Sequence, residues 1–385
     1  MTKWTIACSA CEHRTEPAPL DALCPSCGAP QLARYEAPER AGELRDLWRR
    51  RPAGMWRYRE LLPLRDAEEP VSLGEGGTPL LELPRTSERL GVRCLLKEEG
   101  GNPTGSFKDR GMAAAVTRAA RDGARAFVLP SAGNAGVALA AYAARAGLPA
   151  TVFIPEDTPE AVAARCSAYG ADLRRVPGLI SDCGRRAADL AETSGAFDLS
   201  TLREPYRIEG KKTMGLEILE ALDWRPPDAV VYPTGGGTGL IGTWKALLEA
   251  TELGWIAAPS TRMYAVQAEG CAPVVRAWRA GDGHAEFWQG ANTAAWGLRV
   301  PSARGDALML SALRDSGGGG VTVSDAAMCE AAARLGRDDG AAVGIEGGAV
   351  AAGVERLVER GDLRRGETVV LFNTGNLANY GWYTA

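Results

Sequence analysis

The chain has 385 residues, 45% of them hydrophobic and 24% charged, and a formal net charge of −4. At roughly 150 residues per domain it is long enough for two domains, and it can bury a large core without disulfides. The longest basic run is Arg49-Arg50-Arg51, short and read as a solvated helix end. This argues against a nucleic-acid binder, and no run of ~18 apolar residues offers a membrane-spanning helix.

Residues 1–32 read as a unit of their own. Cys8-Ser9-Ala10-Cys11 and Cys24-Pro25-Ser26-Cys27 are separated by twelve residues, and Gly28 supplies the turn after the second pair. Two such knuckles converge four thiolates on one tetrahedral ion, the pattern of a zinc ribbon. Cys8, Cys11, Cys24 and Cys27 are therefore candidate zinc ligands. Four protein ligands would close the site, which implies a structural metal and not a catalytic one. The alternative is a knob that keeps its thiols without metal. Cys94, Cys166, Cys183, Cys271 and Cys329 are scattered and read as small buried hydrophobes. With no signal peptide at the N-terminus, a cytoplasmic protein is expected.

Residues 33–70, rich in Arg, Glu, Pro and Trp, form an N-terminal arm with a helix around Arg40 to Arg51. Such an arm suits covering a larger body or a subunit interface. From 71 to 385 the pattern is strand, loop, helix, repeated. Ala126–Leu129, Ala150–Ile154, Asp228–Tyr232, Met263–Gln267 and Thr368–Phe372 are short buried-strand runs. Ala135 to Ala144 is Ala-rich and predicts a helix. The alternation indicates an α/β fold with parallel sheets covered on both faces. The Gly317–Gly320 patch predicts a flexible loop.

Three constellations carry chemistry. In Gly101-Asn102-Pro103-Thr104-Gly105-Ser106-Phe107-Lys108, turn formers deliver one lysine to the start of a helix. The positive end of the helix favours the neutral amine, the form that bonds to a carbonyl group. Pro130-Ser131-Ala132-Gly133-Asn134 follows a strand and has small residues whose backbone N–H groups can approach an anion. Gly235-Gly236-Gly237-Thr238-Gly239 lies between a strand and a helix, the arrangement that cradles phosphate. It fits neither the P-loop nor the dinucleotide fingerprint. Each segment alone is also compatible with an ordinary turn or cap.

In this order the three loops resemble the pyridoxal 5'-phosphate (PLP) enzymes whose fold includes tryptophan synthase β, serine dehydratase and threonine synthases. The resemblance implies PLP-dependent fold type II, with two open parallel-sheet domains. The smaller subdomain would span roughly 110–210, the remainder of 71–385 forming the larger. It also implies that Lys108 bonds the cofactor, Asn134 meets its ring oxygen, and Gly235, Gly236, Gly237, Thr238 and Gly239 hold its phosphate. Ser131, Ala132 and Gly133 would take the substrate carboxylate. Thr374, in Asn373-Thr374-Gly375-Asn376, would bond the pyridine nitrogen.

Gly76-Gly77-Thr78-Pro79-Leu80, the lysine motif and Leu199 to Thr213 resemble threonine synthases in particular, as does the cysteine ribbon. Gly344 to Ala349 and the segment from Gly375 to Trp382 depart from that group's usual pattern. The implied reaction is O-phospho-L-homoserine and water to L-threonine and phosphate. Arg207, Lys211 and Lys212, with Ser200 and Thr201, are the candidates to hold the substrate phosphate, Lys211 being alternatively a solvent-facing helix charge. A related PLP enzyme doing β-replacement or elimination on another amino acid such as O-phosphoserine, serine or threonine, and a non-catalytic binding scaffold, stay open. Enzymes of this fold lead one to expect a homodimer.

Overall fold

The structure, a computed structural model, describes residues 3–37 and 41–379. Arg40 and the tail from Tyr380 lie outside them. The chain divides into two compact units, Met1–Gly77 with Asn102–Thr213, and Thr78–Gly101 with Met214–Ala385.

The first unit opens with the ribbon, an antiparallel sheet in the order Arg14–Thr15, Trp4–Cys8, Gln31–Tyr35. Its last strand runs on to Tyr35, past the expected boundary at residue 32. The arm follows as a helix, Ala41–Arg50, and a 3-10 turn, Met55–Leu61. Trp48 and Tyr58 are fully buried and meet edge to face at 4.9 Å. Trp48 Nε1 donates to Glu60 at 2.9 Å. The arm's aromatics thus find cover within their own unit. A four-stranded parallel sheet completes the unit, in the order Asp172–Val176, Ala150–Pro155, Phe127–Pro130, Phe197–Asp198. Its core includes the alanines of helices Lys108–Arg121 and Asn134–Ala146. Alanine favours the helix and lets neighbouring backbones come close.

The second unit is a six-stranded sheet in the order Gly319–Val323, Arg262–Ala268, Ala229–Pro233, Thr368–Asn373, Arg93–Glu98, Leu80–Glu82. The first five strands run parallel and the last pairs antiparallel. One expectation is corrected here. Gly317–Gly320 is not a flexible loop, because Gly319 and Gly320 begin a buried strand. A Cβ on Gly319 would meet the Trp278 ring at 2.5 Å, and one on Gly320 would meet Val275 at 2.8 Å. These glycines answer to close packing against helix Pro273–Ala280 and not to mobility. Among the described residues no helix is long and apolar enough to cross a membrane.

One helix crossing positions several of the candidate site residues. The helix Tyr206–Ala221 begins in the first unit and packs directly on the helix Lys108–Arg121. A Cβ on Gly210 would land inside the Arg110 carbonyl, and one on Gly111 would meet the Arg207 carbonyl at 3.0 Å and Lys211 Cε at 2.9 Å. The helices touch backbone to backbone. Gly210→Ala is expected to force them apart and to lower stability by about 2–3 kcal/mol, since overpacking against rigid backbone cannot relax as a side chain would. Denaturant unfolding of wild type and variant checks this, and an unchanged midpoint would refute the tight crossing.

Candidate active site

The lysine loop is built to place one side chain. Asp109, fully buried, turns back to accept from Thr104 N at 2.6 Å and from the Thr104 hydroxyl. Asn102 Oδ1 accepts from Gly76 N at 3.0 Å. Held at both ends, the loop sets Lys108 as the first residue of its helix, half-buried. Its Nζ lies 4.5 Å from the centre of the Phe107 ring.

A second lysine faces the same ring. Lys211 Nζ is 5.1 Å from the centre of Phe107, and its side chain is fully buried. Burial, then the charges of Arg207 and Lys108, hold its proton affinity well below the ordinary ammonium range. The solvent-facing alternative for Lys211 is therefore set aside. Two amines near a fixed guanidinium favour a neutral amine at this place.

Arg207 supplies the guanidinium. It is 1% exposed, and its Nη1 donates to the Leu199 carbonyl at 2.7 Å. Its Nε is buried with no hydrogen-bond partner among the described residues. A buried guanidinium N–H without an acceptor calls for one. Glu204, which sequence reasoning passed over, caps this helix. It accepts from Tyr206 N at 2.6 Å and Arg207 N at 3.1 Å. Burial pushes its carboxyl up to about 7, against the pull of Arg207, the two backbone donors and Lys211. The connecting loop holds Leu202 at φ 58°, left-handed for a bulky residue, and such conformations cluster where a loop is held for a purpose.

Other candidates fall differently. Ser200 gives its backbone N–H, at 2.8 Å, and its hydroxyl to Asp198, and Thr201 is half-buried beside it. Lys212 does not join Arg207 and Lys211. It pairs with Glu209 at 2.7 Å, both fully buried, and its Nζ lies 4.0 Å from the Tyr35 ring. A turn of about 100° per residue sends neighbours 211 and 212 to different sides. Ser131 Oγ accepts from Gly136 N at 3.0 Å and Gly133 N at 3.3 Å, shaping the loop with Ala132 that leads to Asn134, first residue of its helix.

In the second unit, Gly235–Gly239 joins strand Ala229–Pro233 to helix Thr238–Glu252. A side chain at Gly235 would strike the Gly297 carbonyl, and one at Gly239 the Tyr232 hydroxyl. Gly237 has φ +72° and abuts Met309. The loop presents backbone N–H groups at a helix start, where the first four have no partner within the helix. Glu346, also missed by sequence reasoning, accepts from Gly297 N at 2.9 Å and so holds the segment packed on Gly235. Thr374 is buried and follows Asn373. The Asn373 amide donates to both oxygens of Glu98, at 2.9 and 2.8 Å, and its Oδ1 accepts from Gly344 N at 3.3 Å.

The four ribbon thiols converge. Sγ distances are 3.5 Å for Cys8–Cys27, 3.7 Å for Cys11–Cys24 and 3.6 Å for Cys11–Cys27, and all four lie within 4.8 Å of one another. An ion with tetrahedral bonds of about 2.3 Å sets its sulfurs about 3.8 Å apart. The donor set and spacing fit such an ion.

A family model described as pyridoxal-phosphate dependent enzyme matches residues 71–375. The chain is 36% identical to the threonine synthase of Methanosarcina acetivorans over 325 residues, 84% of this chain and 79% of that protein. It is 35% identical to the threonine synthase of Bacillus sp. strain ULM1, covering 83% of this chain and 88% of that one. Mycobacterium tuberculosis H37Rv threonine synthase is 36% identical, with coverage of 83% and 86%. Among solved structures, the T.th. threonine deaminase superposes with a TM-score of 0.67 at 28% identity, covering 80% of this chain and 94% of that one. Maize serine racemase, at 23% identity, has a TM-score of 0.69 with coverage of 78% and 88%, a likeness of fold alone.

Glu204 gives the site a pH signature. A carboxyl whose folded pKa is raised contributes stability that is complete below its unfolded value near 4.5 and is lost as pH rises through about 7. Glu204→Gln keeps an acceptor for the helix N–H groups and removes the buried charge. The variant is expected to match wild type near pH 4.5 and to exceed it by up to about 3 kcal/mol at pH 8. Unfolding curves at several pH values check this, and a stability difference that does not change with pH would refute it.

Proposed function

This chain belongs to the family of pyridoxal-phosphate dependent enzymes, and we propose that it is a lyase making L-threonine and phosphate from O-phospho-L-homoserine and water. The single observation that carries the substrate is Arg207, a buried guanidinium with an unanswered N–H, beside a buried lysine that shares the Phe107 ring with Lys108. A doubly charged leaving group is the partner that such a cationic pocket suits.

The glycine loop meets a simple test of fit for the cofactor, since any side chain at Gly235, Gly237 or Gly239 would strike its neighbours. Its bare backbone donors suit a phosphate. PLP, when bound, supplies an electron sink for negative charge developing on substrate carbons. Lys108 would bond it through its amine, and Gly235 to Gly239 would take its phosphate. Asn134 would face its ring oxygen and Thr374 its pyridine nitrogen. Ser131, Ala132 and Gly133 would orient the substrate carboxylate. The amine of Lys108 would move protons at the α-carbon and then the β-carbon. Arg207 and Lys211, with Ser200 and Thr201, would hold the departing phosphate. Lys212, committed to Glu209 and Tyr35, has no part in this pocket. A cytoplasmic homodimer is the setting proposed with this reading.

We also propose that Cys8, Cys11, Cys24 and Cys27 hold one structural zinc ion. Elemental analysis of protein purified without chelator is expected to give one zinc per chain, and stripping it should lower stability more than the intrinsic rate. Metal-free protein at full stability would overturn the assignment.

The reaction is tested by incubating the protein with O-phosphohomoserine and, separately, O-phosphoserine, recording phosphate and amino-acid product. Wild type is expected to release phosphate from the first and yield threonine, and Lys108→Ala to be folded and inactive. Arg207→Gln should lose roughly 30- to 150-fold in kcat/KM, the value of one buried charge-assisted contact, with normal cofactor absorbance. Phosphate released only from O-phosphoserine would replace this reading with the related-lyase one.

A further inference from the structure

The helix Tyr206–Ala221 carries charged or hydrogen-bonding groups on two opposite buried faces. At about 100° per residue, Arg207 and Lys211 lie about 40° apart, and Tyr206, Glu209 and Lys212 centre on the opposite side. The first face meets Phe107 and Lys108. The second meets the ribbon. Tyr206 OH donates to Asp21 Oδ2 at 3.0 Å, and that same oxygen accepts from Ala18 N at 3.1 Å. Lys212, paired with Glu209, stands over the ring of Tyr35 in the last ribbon strand. Asp21 is 8% exposed and Tyr206 2%. Trp4, Ile6 and Ala33 of the ribbon share one apolar cluster with Tyr206, Met112 and Ala113.

We propose that the N-terminal ribbon is a positioning element for the Arg207–Lys211 face, acting through the Asp21–Tyr206 hydrogen bond and the Tyr35–Lys212–Glu209 contact. Asp21 sits in the loop that joins the two cysteine knuckles, so the knuckles set where its carboxylate stands. Tyr206 and Arg207 are consecutive in a helix whose first N–H groups are already bound by Glu204. The helix cannot shift at one without shifting at the other. Closing the knuckles therefore fixes the guanidinium from behind, and Asp21, Tyr206, Tyr35 and Lys212 are positioning residues that need touch no substrate.

The kinetic arm of the test rests on the reaction proposed above, and the exchange arm does not. Intact protein with its cofactor and metal is compared with Tyr206→Phe, Asp21→Ala and the conservative Asp21→Asn, which keeps an accepting oxygen. Hydrogen exchange of the amides from 207 to 213 is expected to quicken about tenfold in the first two variants, while helix Ile345–Glu359 keeps its wild-type rates. KM for O-phosphohomoserine should rise about five- to tenfold with kcat within twofold, and Asp21→Asn should restore both readouts. Unchanged exchange at 207–213, or equal quickening in both helices, overturns the proposal, as does a fall in kcat alone. Wild type that releases no phosphate from O-phosphohomoserine refutes the reaction, and the exchange comparison then decides the ribbon's role by itself.

Discussion

The first unit depends on a close contact between the backbones of two helices. Gly210 rests on the carbonyl of Arg110, and Gly111 rests on the carbonyl of Arg207. Because the two helix backbones touch, side chains of one helix can meet those at the start of the other. Lys211 and Lys108, more than a hundred positions apart in sequence, thereby face the same aromatic ring. Larger residues at either glycine would separate the helices, and the electrostatic pressure on the lysines would fall with distance. The geometry of the amines is thus a consequence of backbone packing and only secondarily of charge.

The buried charges are of two kinds. Lys97 with Glu217 at 2.6 Å, Lys212 with Glu209 at 2.7 Å, and Arg118 with Glu68 and Asp122 at 2.7 and 2.8 Å are paired inside the protein. Buried pairs of this kind roughly balance their desolvation and say more about orientation than about stability. Arg207 differs in making no ion pair with a carboxylate among the described residues. The carboxylate that attracts it most, Glu204, is turned to backbone donors, and the Nε of Arg207, like that of Arg118, has no acceptor among the described residues.

Much of this was legible in the chain and some was not. Lys108 at a helix start, the glycine loop between a strand and a helix, and the parallel strands follow from turn chemistry, short apolar runs and helix signals, all local features. The burial of Lys211 is not local. Nothing within a few residues of it announces that Gly111 will lie against its stem. The parting of Lys211 from Lys212 could have been drawn from helical periodicity alone. Strands Arg93–Glu98 and Asp172–Val176 escaped notice because Arg, Lys and Asp interrupt their apolar runs. Gly319 and Gly320 misled in the opposite direction, since glycine for close packing and glycine for freedom look alike until the neighbour is known. Glu204 and Glu346 lie in segments already compared with threonine synthases, but nothing in those segments singled them out. Their roles, capping a helix and holding a loop, appear only once the backbone they serve has been traced.

The hydrogen bond between Asp21 and Tyr206 spans 185 residues of sequence, which sets an order of events during synthesis. The ribbon's knuckles lie within twenty residues of each other and can close as soon as they leave the ribosome. At about 5–20 residues per second, the helix that carries Tyr206 arrives roughly ten to forty seconds later. Through that interval Asp21 stands without its Tyr206 partner, held by the ribbon's own short loops. A nascent chain whose knuckles fail to close has no finished surface to offer when Tyr206 emerges, so a segment made early acts as the template on which a much later helix is seated.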